Sequence, residues 1–412
     1  LLPALHALQN AKGWISPGGL NHVCETLQVP PAEAYGVATF YDLFRTDEPS
    51  QVGDVTHVCV DAACQIAGSA ARIADLKAQG VNVHESPCLG QCERANDVSG
   101  EVAEFVQGVG GPDRVEADEQ PYALFHQQGD ESLRLLKRIG VVDPTSLASY
   151  REHGGYDALA AAIAMGAEAV CTAVADSGLS GRGGAAFPTG IKWRAVAAEQ
   201  GRPKHVVANC DESEPGTCKD RVVMENDPFA VIESLTGAGL ATGAENGWIY
   251  IRGEYPLATA RLQNAINQAL EAGLLGDDAA GSGHRFNIEI RRGAGAYICG
   301  EETALFASLE GFRGEPRSKP PFPTTHGLFQ EPTAINNPET LLNALDIVQI
   351  GADGYRSRGT DHSPGTKLLC LSGRVAKPGV YEVEFGTTLG EVIELAGGIT
   401  GSGELNSILM GG

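Results

Sequence analysis

Four cysteines carry the most specific chemistry in the sequence. Cys59 and Cys64 form a C-x4-C pair, and 23 residues later Cys88 and Cys92 form a C-x3-C pair. Four thiolates from two neighbouring loops are what a [2Fe–2S] cluster requires. Zinc is the main competitor, although structural zinc generally uses tighter C-x2-C knuckles; paired disulfides rank below both. The sequence starts LLPALHAL, with no basic leader, and reads as a trimmed start. Ten cysteines at uneven spacing then point to metal or redox work in a reducing, cytoplasmic compartment rather than to a disulfide scaffold.

The second chemical stretch is Gly178–Lys192, GLSGRGGAAFPTGIK. Glycine lets backbone amides approach a ligand with no Cβ in the way, and amides flanked by Arg182 and Lys192 suit a phosphate. The segment 181–186 also fits the loose GxGxxA dinucleotide pattern, but no GK[ST] ending marks a nucleotide-hydrolysing loop. Further on, Asn209, Asp211, Glu212 and Glu214 crowd the end of an apolar run, as ligand contacts do past a strand of an α/β domain. Gly300, Glu301 and Glu302 form a second glycine turn opening a helix, where acids suit the helix dipole with or without a ligand. A proline-rich stretch, PRSKPPFP, supplies Lys319 and Phe322.

The elements that must hold these residues follow from periodicity. Helices are expected within 1–48, and VTHVCV, SAARIADLKAQ and Val81–His84 read as strand, helix, strand, so that the two cysteine loops meet. Composition loosens between Asp97 and Tyr150, with one helix expected at Ser132–Ile139. A helix over Tyr156–Ser177 then leads into the glycine loop, and strands and helices alternate through HVVANC, Pro228–Thr242, Trp248–Arg252, Pro256–Ala272 and HRFNIEIRRG. A final β-β-α order from Lys367 to Gly398 suggests a ubiquitin-like fold. The spans are 1–48 (helical), 49–110 (cysteine-bearing), 111–150 (linker and approach helix), 151–350 (the ligand-binding α/β domain) and 351–412 (an incomplete β-grasp domain). Cys24, Cys171, Cys210, Cys218 and Cys299 read as buried or incidental thiols.

Net charge is −22, from 52 acidic and 30 basic side chains. Such a surface repels nucleic acid and offers no basic patch to anionic lipid. No apolar run approaches the roughly 20 residues that cross a bilayer, so no direct membrane insertion is expected.

The blocks GRGGAAFPTGIKW, NCDESEPGTCKDR, AYICGEETAL, PRSKPPFP, INNPETL and ESPCLGQCERA resemble those of a fusion of the 24 kDa-type and 51 kDa-type NADH-dehydrogenase subunits. That family serves complex I, NAD-reducing hydrogenases and NAD-dependent formate dehydrogenases. The resemblance covers nearly all of the chain except about 97–120. It implies a multidomain α/β fold: N-terminal helices with a thioredoxin-like [2Fe–2S] domain on Cys59, Cys64, Cys88 and Cys92, a central FMN- and NADH-binding α/β domain, and a C-terminal β-grasp (SLBB-type) domain. By the same resemblance, FMN is held by Gly183, Gly184, Lys192, Asn209, Asp211, Glu212, Gly300, Glu301 and Asn337. NAD(H) is contacted by Phe187, Glu214, Glu302, Lys319 and Phe322.

The resemblance implies a diaphorase. Hydride passes between NAD(H) and flavin, single electrons move through iron–sulfur clusters, and no side chain acts as acid or nucleophile; Glu214 and Glu302 position the nicotinamide. The acids Glu212, Glu214 and Glu302 favour NAD over its 2′-phosphorylated form. The sequence departs from the family at Ala195, where an aromatic is frequent, and lacks the C-terminal cysteine motif of a [4Fe–4S] cluster; its last cysteine is Cys370. The expected partner is a large catalytic subunit with further clusters. The first expectation is the β-type subunit of a formate dehydrogenase, with a bidirectional hydrogenase next and complex I third. A subunit with a vestigial flavin site and a zinc-binding adaptor are the non-enzymatic alternatives.

Overall fold

The computed structural model describes residues 1–49, 52–95, 101–108, 115–119, 125–201 and 203–411. The expected boundary at 110/111 and parts of the expected linker lie outside them.

Helices Leu2–Lys12, Pro17–Leu27 and Pro31–Ala38 form the N-terminal segment, each with proline in its first turn, where the missing N–H costs nothing. Next comes a three-stranded sheet of order β2-β1-β3: β1 (Val55–Cys59), β2 (Val83–Ser86) and β3 (Glu104–Gln107). β1 and β2 run parallel, joined through helices Ala62–Ala67 and Ser69–Ala78. Their C-terminal ends therefore lie side by side, which brings Cys59 and Cys64 to the loop carrying Cys88 and Cys92. β3 pairs antiparallel with β1 inside the stretch whose composition reads as loose.

The central unit is a parallel sheet, order β6-β5-β4-β7, made of β4 (His205–Cys210), β5 (Asn246–Ile251), β6 (Asn287–Arg292) and β7 (Thr333–Asn336). Helix Pro228–Thr242 is buried on nearly every side, as an element covering a parallel sheet must be. Two expected helices differ. The helix expected over Tyr156–Ser177 is two, Asp157–Met165 and Ala167–Asp176, bent by 108° at Gly166 (φ 82, ψ 157). Ser132–Ile139 forms turns instead of a helix, because the backbone N–H groups of Arg134, Leu135 and Leu136 all donate to the buried Glu382 carboxylate at 2.9–3.1 Å. Among the described residues no single helix is long and apolar enough to cross a membrane.

The C-terminal unit pairs β8 (Thr366–Leu371) antiparallel with β9 (Gly379–Glu384), followed by helix Leu389–Leu395 behind a Thr388/Glu391 capping box. The preceding helical run, Pro338–Arg356, is interrupted at Gly351 (φ 76, ψ 164). Its Glu339 carboxylate accepts the Leu368 N–H of β8 at 2.9 Å. One apolar core joins β8 and β9 to the central helices, and a second joins the N-terminal helices and the cysteine loops to β4 and β5.

Candidate functional site

β5 and β6 extend the sheet on one side of β4, whereas β7 adds on the other. The connections leaving the C-terminal ends of β4 and β7 therefore part, which opens the crevice where ligands of parallel α/β sheets bind. Asn209 lies near the end of β4, and its side-chain amide donates to the Gly300 carbonyl at 2.9 Å. Asn337 follows β7 and caps helix Pro338–Arg356, accepting the Glu339 N–H at 3.0 Å. It also accepts from the Lys219 ammonium at 3.1 Å and donates to Asp220 at 2.5 Å. Lys219 is buried against Asp220 at 2.7 Å and Glu339 at 3.0 Å, and these carboxylates hold its pKa up against the cost of burial.

The glycine loop lies over Asn337. A Cβ on Gly183 would stand 3.2 Å from the Asn337 Cβ, and Gly184 sits at φ 112, a conformation glycine adopts freely. Residues 183–188 are exposed, including Phe187. The Lys192 ammonium is 5.8 Å from the Phe187 ring centre and donates to the Ile335 carbonyl at 2.7 Å; burial lowers its pKa. Arg182, the other expected flank of the phosphate cradle, is turned away. It is buried against the C-terminal unit, donating to the Tyr355 hydroxyl at 2.9 Å and the Pro364 carbonyl at 3.1 Å, with Phe385 beneath it. Its neighbours already use that guanidinium, which leaves the cradle one cation, Lys192.

The acids divide into floor and rim. Burial pushes Asp211 up to about 7, although the Ser213 hydroxyl donates to it at 2.6 Å. Glu212, at φ 38, turns inward and accepts the Asp220 and Arg221 N–H groups at 2.7 and 2.9 Å and the Tyr255 hydroxyl at 3.1 Å. Burial and then the Asp220 charge push it up to about 8. On the rim, Glu214 accepts from Tyr297 at 2.6 Å. Lys319 bridges Glu301 at 3.0 Å and Glu302 at 2.7 Å. Glu301 also caps its own helix, accepting from Thr303 and Ala304 at 2.8 and 3.0 Å, and so fills that helix N-terminus itself. Phe322 stands exposed.

The residue set suits FMN. A Cβ on Gly300 would lie 3.3 Å from Asp211 and one on Gly183 would crowd Asn337, so bare backbone faces the crevice from two sides. The half-buried Lys192 ammonium beside the glycine loop would serve a phosphate. Tyr297, Lys219 and Asp220 are part of this arrangement and escape sequence reasoning, although each lies inside a recognised block, AYICGEETAL or NCDESEPGTCKDR.

The four cysteines are buried together. Cys64 contacts Cys59, Cys59 contacts Cys88, and Cys88 lies 3.3 Å from Cys92 between sulfurs. The thiols form one chain of contacts, Cys64–Cys59–Cys88–Cys92, a donor set of four thiolates that suits a [2Fe–2S] cluster. Hydrogen bonds from Cys59 and Cys92, then from the Gly216 and Gly90 amides, hold the Cys88 thiol well below its ordinary range.

Gly216 belongs to the same loop as Asp211 and Glu214, so one loop touches both sites. Two buried arginines reinforce it: Arg252 donates to the Cys88 carbonyl at 2.7 Å and to the Glu212 carbonyl at 3.0 Å, and Arg221 donates to the Gly90 carbonyl at 2.8 Å. A surface cleft of about 710 Å³ at the Gly166 bend, lined by Met165, Glu168, Thr172 and Asp176 among others, shares no residue with either site.

Comparison with known proteins matches residues 1–99 to the thioredoxin-like [2Fe-2S] ferredoxin family, 174–346 to the Nuo51 FMN-binding domain and 368–410 to the SLBB domain. The chain is similar to the F 2 subunit of NADH-quinone oxidoreductase of Rhizobium meliloti (strain 1021), 49% identical over 280 residues, 68% of this chain and 66% of the relative. It is 45% identical over 284 residues to the HndC subunit of the NADP-reducing hydrogenase of Solidesulfovibrio fructosivorans, 68% of this chain and 58% of the relative. The chain thus spans between about three fifths and two thirds of these curated relatives. A crystal structure of NAD+-reducing [NiFe]-hydrogenase in the H2-reduced state superposes with a TM-score of 0.78 at 30% identity, over 95% of this chain and 69% of that one.

Proposed function

Because the chain belongs to the family of fused 24 kDa-type and 51 kDa-type NADH-dehydrogenase (diaphorase) subunits, we propose that it passes electrons between NAD(H) and iron–sulfur clusters by way of FMN. The observation that carries this reading is the shared loop. Residues 209–221 contribute to the crevice at the sheet's switch point and touch the cysteine loop through Gly216 and Arg221.

Bound FMN would supply the conversion between two-electron nicotinamide chemistry and one-electron cluster chemistry. The chain's own residues bind, orient and shield. Gly183, Gly184 and Lys192 would hold the phosphate, while Asn209, Asp211, Gly300 and Asn337 would line the flavin. Glu212 and Glu301 act here through the backbone they brace, on helices Lys219–Asn226 and Glu302–Leu309. Phe187 and Phe322 offer faces to adenine, and Glu214, Glu302 and Lys319 would contact the dinucleotide. Cys59, Cys64, Cys88 and Cys92 would hold a [2Fe–2S] cluster. NADH-dependent dye reduction by the purified flavin-loaded protein tests the reading; a colourless protein inactive after FMN reconstitution would defeat it and favour a vestigial site.

For the parent assembly, the fusion of both modules and the stretch LLKRIGVVDPTSLASYREHGGY favour the β-type subunit of a cytoplasmic NAD-dependent formate dehydrogenase. The likeness to the NAD+-reducing [NiFe]-hydrogenase structure over 95% of the chain favours the hydrogenase reading. Metal analysis of the co-purifying large subunit separates them: molybdenum or tungsten for the first, nickel for the second.

A further inference from the structure

Two cysteines outside the cluster set meet across the interface between the central and C-terminal units. Cys218 is buried at the end of the loop shared by both sites, and it caps helix Lys219–Asn226. Cys370 lies on β8, 152 residues away, and is partly exposed. The Cys218 N–H donates to the Cys370 sulfur at 3.2 Å, and the two side chains hydrogen-bond directly, thiol to thiol. Nothing in the sequence spacing indicates this pair; the packing of β8 against the start of that helix creates it.

We propose that Cys218 and Cys370 form a reversible disulfide that ties β8 to the loop joining the two candidate sites. Access sets the order of events. Hydrogen peroxide reaches the partly exposed Cys370 first: an S–O bond forms, the O–O bond breaks, and one water leaves with the thiol proton, giving a sulfenic acid. Cys218 is almost fully enclosed, so Cys370 is the sulfur it can meet. Its attack forms the S–S bond and breaks the S–O bond, and its own proton departs with the hydroxide as a second water. Two thiols are oxidised by two electrons, and one peroxide is reduced to two waters. A dithiol reverses the change by exchange through a mixed disulfide. Reversible oxidation of this kind is the use that reducing compartments make of disulfides.

The bond would anchor a sensitive point. Cys218 immediately precedes Lys219, Asp220 and Arg221, whose groups hold Asn337 and the Glu212 carboxylate. Oxidation would therefore stiffen the base of the crevice without occupying it.

The test uses the holoprotein, treated with stoichiometric hydrogen peroxide, alkylated with N-ethylmaleimide and digested without reductant for mass spectrometry. The expected result is a Cys218–Cys370 cross-linked peptide that disappears after dithiothreitol and is absent from C370S, which keeps the untreated protein's dye-reductase activity. The proposal is overturned if both cysteines are recovered alkylated, if Cys370 proceeds to sulfinic acid while Cys218 stays free, or if either links to a different cysteine.

Discussion

The Arg252 guanidinium donates to the backbone carbonyl of Cys88 at 2.7 Å, joining the end of β5 to the cysteine loop. The same nitrogen pairs with Glu254 at 2.7 Å, and all three residues are buried. Removing one member of a buried ion pair leaves the other charge uncompensated, at a cost of about 3–5 kcal/mol. Arg252→Met should therefore lower unfolding stability by that order in urea titration, with loss of iron. Arg252→Lys keeps the charge but loses the fork that reaches Cys88, Glu254 and the Glu212 carbonyl together, and should fall between. An Arg252→Met protein with unchanged stability and iron content would refute the linkage.

Cys88 makes the central sulfur contacts of the four-thiol chain, to Cys59 and Cys92. Cys88→Ser should abolish one [2Fe–2S] EPR signal, yet leave NADH-to-dye activity largely intact, because the crevice residues lie on the central sheet. Complete loss of dye reduction with flavin retained would instead make the cluster an obligatory relay.

The strands, the two cysteine loops, the glycine loop and the β-β-α ending were legible because each rests on local pattern: β-branched runs, thiol spacing and glycine turns. What was not legible depends on distant partners. Ser132–Ile139 has helical periodicity, but its amides are taken by Glu382, almost 250 residues away. Arg182 looks like a phosphate ligand until Tyr355 and Pro364 are seen to occupy it. Glu212 looks like a ligand-facing acid until Asp220 and Arg221 are found donating to it. Arg252 stands in none of the recognised blocks, and Arg221 closes one without any sign of its role, since each reaches a backbone carbonyl of the distant cysteine loop, Cys88 and Gly90. Gly166 alone could have warned of the break in the 156–177 helix, because glycine mid-helix costs about 1 kcal/mol relative to alanine.

Asp211 gives the flavin-free protein a pH dependence with a definite sign. Its folded-state pKa, raised by burial to about 7, lies above the ordinary 3.8. The folded state therefore binds the proton more tightly, and stability falls as pH rises from about 4 to about 7. At 1.36 kcal/mol per unit, the change is on the order of 4 kcal/mol. Urea unfolding of apoprotein at pH 4 and pH 8 should show the loss, and Asp211→Asn should reduce it, the remainder belonging to Glu212, which burial raises to about 8. A profile as steep in Asp211→Asn as in the parent would assign the dependence elsewhere.

Glu214 sits on the rim with the Tyr297 hydroxyl at 2.6 Å, while Glu302 is engaged by Lys319 and Glu212 is turned inward. With the dinucleotide bound as proposed, charge repulsion of a 2′-phosphate would fall chiefly on Glu214. Glu214→Gln should reduce the NADH-over-NADPH ratio of kcat/KM by roughly tenfold, equivalent to about 1.4 kcal/mol. A parent enzyme that already prefers NADPH would remove the premise.

Gly90, between Cys88 and Cys92, is required twice over. Its φ of +64 lies in the left-handed region, where a side chain costs roughly 1 kcal/mol. Independently, a Cβ there would stand 2.0 Å from the Tyr255 hydroxyl and 2.7 Å from its ring, closer than real contacts allow. Tyr255 cannot swing aside, since it is fully buried and its hydroxyl donates to Glu212 at 3.1 Å. The loop must yield, and with it the Gly90 carbonyl that Arg221 holds at 2.8 Å. Gly90→Ala should therefore cost iron rather than flavin: iron per chain falls while flavin per chain stays near the parent value. Replacing Tyr255 with Leu in the same protein removes the collision but not the φ penalty, so iron retention should recover in part. Equal iron in Gly90→Ala and the parent would mean that the cysteine loop is not seated against Tyr255.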